Sequence, residues 1–151
     1  MLLDNIKELH FNGSKIKEAW FGGNKIFSSG GWKLWKDRYQ LSASQQSTQN
    51  VYTCSLPTST YPNARFRVEI EATNSSTATL SLYIGSQYQY LDSNGTYHYV
   101  CEIDNTASPY TCSLTGDREK EFSSTSKITN VTFKITYTKS AYIYCKIYVM
   151  E

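Results

Sequence analysis

Residues 142–149 read YIYCKIYV. Ile143, Cys145, Ile147 and Val149 alternate with Tyr142, Tyr144, Lys146 and Tyr148. A period of two sends the first set to one face of a strand and the second to the other. The same alternation sets Phe66, Val68 and Ile70 against Arg65, Arg67, Glu69 and Glu71. It returns in Ala78, Leu80, Leu82 and Ile84 against Thr79, Ser81 and Tyr83, and in Tyr97, Tyr99, Cys101 and Ile103 against His98, Val100 and Glu102. It returns again in Val131, Phe133, Ile135 and Tyr137 against Thr132, Lys134, Thr136 and Thr138. Weaker strands fit 32–41, 51–56, 87–91 and 109–114, with turn signals at 93–96 and 115–117. No segment keeps a helical period. The chain is therefore expected to be all-β, with an antiparallel β-sandwich, arranged as a jelly roll, over 32–151.

Composition points the same way. The 151 residues include 13 Tyr, 19 Ser and 16 Thr, residues of strands, turns and edges. Apolar residues make up 40% and charged residues 19%, which argues against long disorder. A net charge of +2 gives no reason to expect nucleic acid or an acidic membrane as the main partner, and no insertion into a membrane is expected. No run approaches the about 18 apolar residues of a spanning helix. His10 and His98 lie far apart, and the four cysteines show no C-x-x-C spacing, so no metal or other cofactor is expected. The first residues, MLLDN, do not read as a secretory signal, and synthesis in the cytoplasm is the expectation.

The N-terminal stretch is a repeat. Residues 6–15 read IKELHFNGSK and residues 16–25 read IKEAWFGGNK, six of ten positions being identical. Asn12-Gly13 and Gly22-Gly23 suit two-residue hairpin turns, which need positive φ. The expectation is a three-stranded meander over 1–27, with strands near 5–11, 14–21 and 24–27. A turn at 12–13 sets Phe11 opposite Ser14 and Leu9 opposite Ile16. It also aligns Glu8 with Lys17 and Lys7 with Glu18, two pairs of opposite charge. Leu9, Phe11, Ile16, Trp20 and Phe27 fall on one face, and Ile6, Ala19, Phe21 and Ile26 on the other. Three short strands cannot bury two apolar faces, so they must dock on this chain or on a partner. Phe11, Trp20, Phe21 and Phe27 are the candidate docking residues. Ser28-Ser29-Gly30-Gly31 reads as a linker to the sandwich.

The stretch KIKEAWFGGNKIF (15–27) resembles a short segment of tail and baseplate proteins from phages and prophages of Gram-positive bacteria. The resemblance is confined to this N-terminal segment. It implies a structural protein whose residues 1–27 join other tail subunits, in a virion that leaves the cell by lysis. A homo-oligomer is compatible with the two apolar faces.

Catalysis has little support in the residues. Glu69 and Glu71 share a strand face, as a glycosidase pair could, but Arg65 and Arg67 beside them read as a solvated, neutralised face. Asp92-Ser93-Asn94-Gly95 opens like a calcium loop yet lacks the later acidic ligand, so it reads as a turn. The expectation is a protein that is not an enzyme. Binding has more support. Tyr142, Tyr144 and Tyr148 face away from an apolar row, and so does Tyr83. Outward tyrosines offer apolar area with a hydroxyl, which suits sugars and protein partners. These four are the candidate ligand residues, with host surface carbohydrate as the ligand. A stand-alone lectin-like protein is the alternative to the tail protein. Cys54, Cys101, Cys112 and Cys145 each share a face with apolar neighbours and are expected to be free and buried. The duplicated YTCSL at 52–56 and 110–114 makes Cys54–Cys112 the alternative disulfide.

Overall fold

The structure, a computed structural model, describes residues 31–150 throughout and, before them, the backbone of four short strands. These are β1 (Leu9–Phe11), β2 (Ser14–Ile16), β3 (Glu18–Phe21) and β4 (Asn24–Ser28). The chain divides into two compact units, Met1–Trp32 and Lys33–Glu151.

In the first unit β1 pairs with β2, with Phe11 opposite Ser14 and Leu9 opposite Ile16, the register the turn at 12–13 implies. Within the expected middle strand, Ser14–Ile16 pairs with β1 and Glu18–Phe21 pairs with β4, while Lys17 between them lies outside the described residues. The second hairpin also carries a bulge between Ala19 and Trp20, with Phe27 opposite Ala19 and Lys25 opposite Trp20 in the register. The expected Glu8–Lys17 and Lys7–Glu18 alignments involve positions outside the described residues. The docking candidates Phe11, Trp20, Phe21 and Phe27 lie within these strands, but their side chains are outside the described residues as well.

The second unit holds β5 (Lys33–Gln40), β6 (Ala43–Gln46), β7 (Gln49–Ser55), β8 (Arg65–Asn74), β9 (Ser81–Ile84), β10 (Gln87–Tyr90), β11 (Gly95–Asp104), β12 (Tyr110–Gly116), β13 (Lys120–Ser124), β14 (Asn130–Thr136) and β15 (Tyr142–Met150). They form two antiparallel sheets, ordered β10-β9-β14-β7-β6 and β13-β12-β11-β8-β15-β5, packed together as a β-sandwich. The alternating rows meet in its core. Phe66, Val68, Ile70, Cys101, Ile103, Ile143, Cys145 and Ile147 from one sheet face Tyr52, Cys54, Leu82, Val131, Phe133 and Ile135 from the other. Removing such area from water stabilises the fold by about 25 cal/mol per Å2 of apolar surface. Gly116 closes β12 at φ +104, where an added Cβ would lie 2.4 Å from the His98 carbonyl oxygen, so any other residue there must displace backbone.

We expect residues 32–151 alone to unfold in one cooperative thermal transition, because Leu41–Val149 supply a continuous buried core of their own. A fragment lacking such a transition would make the N-terminal unit part of the sandwich fold.

All four cysteines are free and buried. Cys101 and Cys112 lie diagonally on adjacent strands β11 and β12, while Cys54 and Cys145 come from opposite sheets. Cys54 and Cys112 also belong to opposite sheets, so the duplicated pentapeptide does not make strand neighbours. Hydrogen bonding with Cys112, and then burial, push the Cys101 thiol well above its ordinary range. Hydrogen bonding with Cys54, and then burial, do the same for Cys145. Unfolded thiols ionise near pH ~8.5, whereas these two stay protonated in the fold. Through these two thiols the fold holds protons above that pH that the unfolded chain has lost, a contribution to stability that is complete below it and falls as pH rises. Thiol titration should find four reactive groups in denaturant and almost none without it.

Candidate functional site

The sandwich has two outer faces of different chemistry. On the six-stranded sheet, residues pointing away from the core form rows across the strands. Tyr144 stands beside Glu71, which stands beside His98; Lys146 stands beside Glu69, and Tyr148 beside Arg67 and then Glu102. Charges of opposite sign meet along and between these rows. The Arg38 guanidinium lies 3.0 Å from Glu71, Arg67 lies 3.6 Å from both Glu69 and Glu102, and Arg65 lies 3.4 Å from Asp104. Arg65 thus serves Asp104 rather than the Glu69/Glu71 pair.

The candidate tyrosines of β15 sit inside this lattice. Tyr144 is half-buried, with the Arg38 guanidinium carbon 3.8 Å from its ring centroid. Lys146 lies 5.5 Å from the Tyr148 ring centroid, and the Tyr148 hydroxyl donates to Glu69 at 3.4 Å. Tyr142, at the strand end, is 56% exposed. A depression of about 310 Å3 opens among Arg38, Glu71, His98, Val100 and Tyr144. The outward direction of these tyrosines follows the alternation, but neighbouring charged side chains already cover two of the three rings. Tyr144→Ala is expected to lower stability by about 1–2 kcal/mol, through the lost cation–π contact and ring packing. Chemical denaturation of the variant checks this.

Tyr83 belongs elsewhere. It projects from the outer face of the five-stranded sheet, so the four candidate tyrosines do not form one site. Its neighbours are two residues the sequence reading did not single out. Gly85, at φ +60, and Ser86 turn the chain so that Tyr83 stands directly opposite Tyr88, and the period of two brings Tyr90 to the same face. Ring centroids are 5.4 Å apart for Tyr83–Tyr88 and 5.1 Å for Tyr88–Tyr90, with interplanar angles of 32° and 56°. Tyr88 is 45% and Tyr90 55% exposed. Hydrogen bonding to Tyr88 holds the Tyr90 phenol above its ordinary range. The Lys134 ammonium lies 4.4 Å over the Tyr83 ring.

The edge strand that carries this cluster is fixed from its other side. Gln87 donates to the Ser123 carbonyl at 2.5 Å and accepts from the Ser123 N–H at 3.3 Å, clipping β10 to β13 of the facing sheet. Beside the clip, a groove of about 420 Å3 runs along Gln87, Tyr88, Gln89, Tyr90 and Lys120. Two aromatic rings, amides, hydroxyls and an ammonium along it can stack on a sugar face and bond its hydroxyls.

The turn-like stretch after Leu91 is engaged internally. Asp92 accepts from Arg118 at 2.7 Å and from the Tyr99 hydroxyl at 2.9 Å, and the Arg118 bond holds its carboxyl below the usual range. Among the described residues, no group of three or more His, Cys, Asp or Glu is placed to hold a metal ion. The chain matches no protein-family model and no curated protein sequence.

Proposed function

We propose that the chain is a tail-associated structural protein of a phage or prophage, whose β-sandwich binds host surface carbohydrate through the Tyr83–Tyr88–Tyr90 face. One observation carries the binding reading: Tyr88 and Tyr90, about half exposed, line an open groove beside amide side chains, with Tyr83 packed against Tyr88. Exposed aromatic clusters of this size are costly to leave bare and mark binding surfaces. Attachment is assigned to the N-terminal hairpins, on the duplicated IKE-x-x-F segment and its likeness to tail proteins.

Full-length protein should bind a polysaccharide extracted from Gram-positive cell walls, saturably, and should co-purify with tails from the encoding strain. Replacing Phe11, Trp20, Phe21 and Phe27 together by Ser should abolish co-purification and spare polysaccharide binding. Sugar binding without tail incorporation of the unmodified chain would turn the assignment to a stand-alone lectin. Failure to bind any wall polysaccharide would remove the carbohydrate role.

A further inference from the structure

We infer that the Tyr83–Tyr88–Tyr90 face takes an uncharged, soluble glycan chain rather than a phosphate-bearing wall polymer, an inference that rests on the carbohydrate reading above. Charge is divided unevenly between the two sheets. The strands of the five-stranded sheet read ASQQ, QNVYTCS, SLYI, QYQY and NVTFKIT, with no carboxylate and one cation, Lys134. That ammonium sits over the Tyr83 ring, where it already interacts with an aromatic face. The chain's four arginines, the side chains best shaped for phosphate, are all committed elsewhere: Arg38 to Glu71, Arg65 to Asp104, Arg67 to Glu102 and Arg118 to Asp92.

A phosphate polymer bound here would meet Lys134 and the rim residue Lys120 without a bidentate partner. An uncharged glycan meets what the face does provide. Sugar C–H faces stack on Tyr88 and Tyr90, and hydroxyls reach Gln89 and the Lys120 ammonium along the groove. Thr132, the outward neighbour of Tyr83 on β14, extends the uncharged polar surface. The ring tilts of 32° and 56° leave no flat platform, so a single flexible chain fits and the planar face of a crystalline polymer does not.

The test is calorimetric titration of the full-length protein at low and high salt. The probes are a panel of soluble neutral glycans (mannan, galactan, rhamnan and β-glucan) and a glycerol-phosphate polymer, with pull-down on crystalline cellulose alongside. The expected result is saturable binding of a neutral glycan, unchanged within about twofold by salt, and none on cellulose. Tyr90→Ala should weaken it about tenfold or more without changing the melting temperature. Preference for the glycerol-phosphate polymer, with affinity falling steeply with salt, would overturn the inference and leave the carbohydrate reading standing. Retention on cellulose would overturn the single-chain geometry. Neutral-glycan binding untouched by Tyr90→Ala would displace the site from this face. A dimer in sedimentation that Tyr90→Ala dissolves would assign the face to a second copy and overturn the inference. Absence of binding to every probe would overturn the carbohydrate reading itself.

Discussion

Asn105→Ala should destabilise the sandwich more than any surface change, by about 2–6 kcal/mol. Asn105 is fully buried, and its amide serves one backbone residue twice. It donates to the Ile128 carbonyl at 2.9 Å and accepts from the Ile128 N–H at 3.0 Å. Its own N–H donates to the Ala64 carbonyl at 3.1 Å. The side chain therefore stands in for a ladder partner where the chain after Lys127 re-enters the core. Truncation strands two buried backbone groups, at about 1–3 kcal/mol each. Against a total of about 5–15 kcal/mol for a domain, this is a large fraction. Asn105→Asp should cost a comparable amount at neutral pH, because a carboxylate oxygen then faces the Ile128 carbonyl. Its protonated form can donate to that carbonyl, so the folded state raises the carboxyl's pKa. The variant should be most stable below the unfolded aspartate pKa of about 4 and lose stability as pH rises. Denaturant titrations at several pH values check both variants, and losses below about 1 kcal/mol would show that water or another group replaces the amide.

The second large effect concerns binding. Replacing Tyr88 and Tyr90 together by Ala should reduce glycan affinity by about 2–4 kcal/mol, as for paired aromatic anchors at a site's centre. Stability should change little, because both rings are about half exposed and leave no enclosed cavity. Tyr83 is more covered, by Tyr88 and Lys134, so Tyr83→Ala should lower stability as well as affinity. Tyr144→Ala, on the opposite sheet, should leave glycan affinity unchanged. A variant series in which Tyr144 matters and Tyr88 and Tyr90 do not would exchange the roles of the two faces.

Period-two alternation was sufficient for the long strands. β8, β11, β14 and β15 each have one face in the core, so their apolar rows follow directly from burial. The two strands missing from the sequence reading are β6 and β13, short edges with few apolar residues. Edge strands have less to bury and carry a weaker pattern. Alternation also tells which tyrosines point outward but not which sheet they belong to. The chain crosses between sheets repeatedly, and pairing order is a long-range property. Alternation therefore groups Tyr83 with Tyr144 though the two project from different sheets. Arg38 over Tyr144 leaves no local signal, because β5 precedes its partner β15 by about a hundred positions, a separation no local pattern spans. Tyr88 and Tyr90 did leave a signal. The Gly85-Ser86 turn fixes Tyr83 opposite Tyr88, and the charge-free run QYQY sets two tyrosines beside it.

The central claim is that the tyrosine face of the five-stranded sheet is the binding surface. Its most direct test is the amide spectrum of isotopically labelled full-length protein during titration with a soluble neutral glycan that it binds. Shifts are expected to concentrate in Ser81–Ile84, Gln87–Tyr90 and the residues around Lys134, with the amides of β8 and β15 unmoved. Shifts centred instead on Arg38, His98 and Tyr144 would contradict it and move the ligand to the charged face.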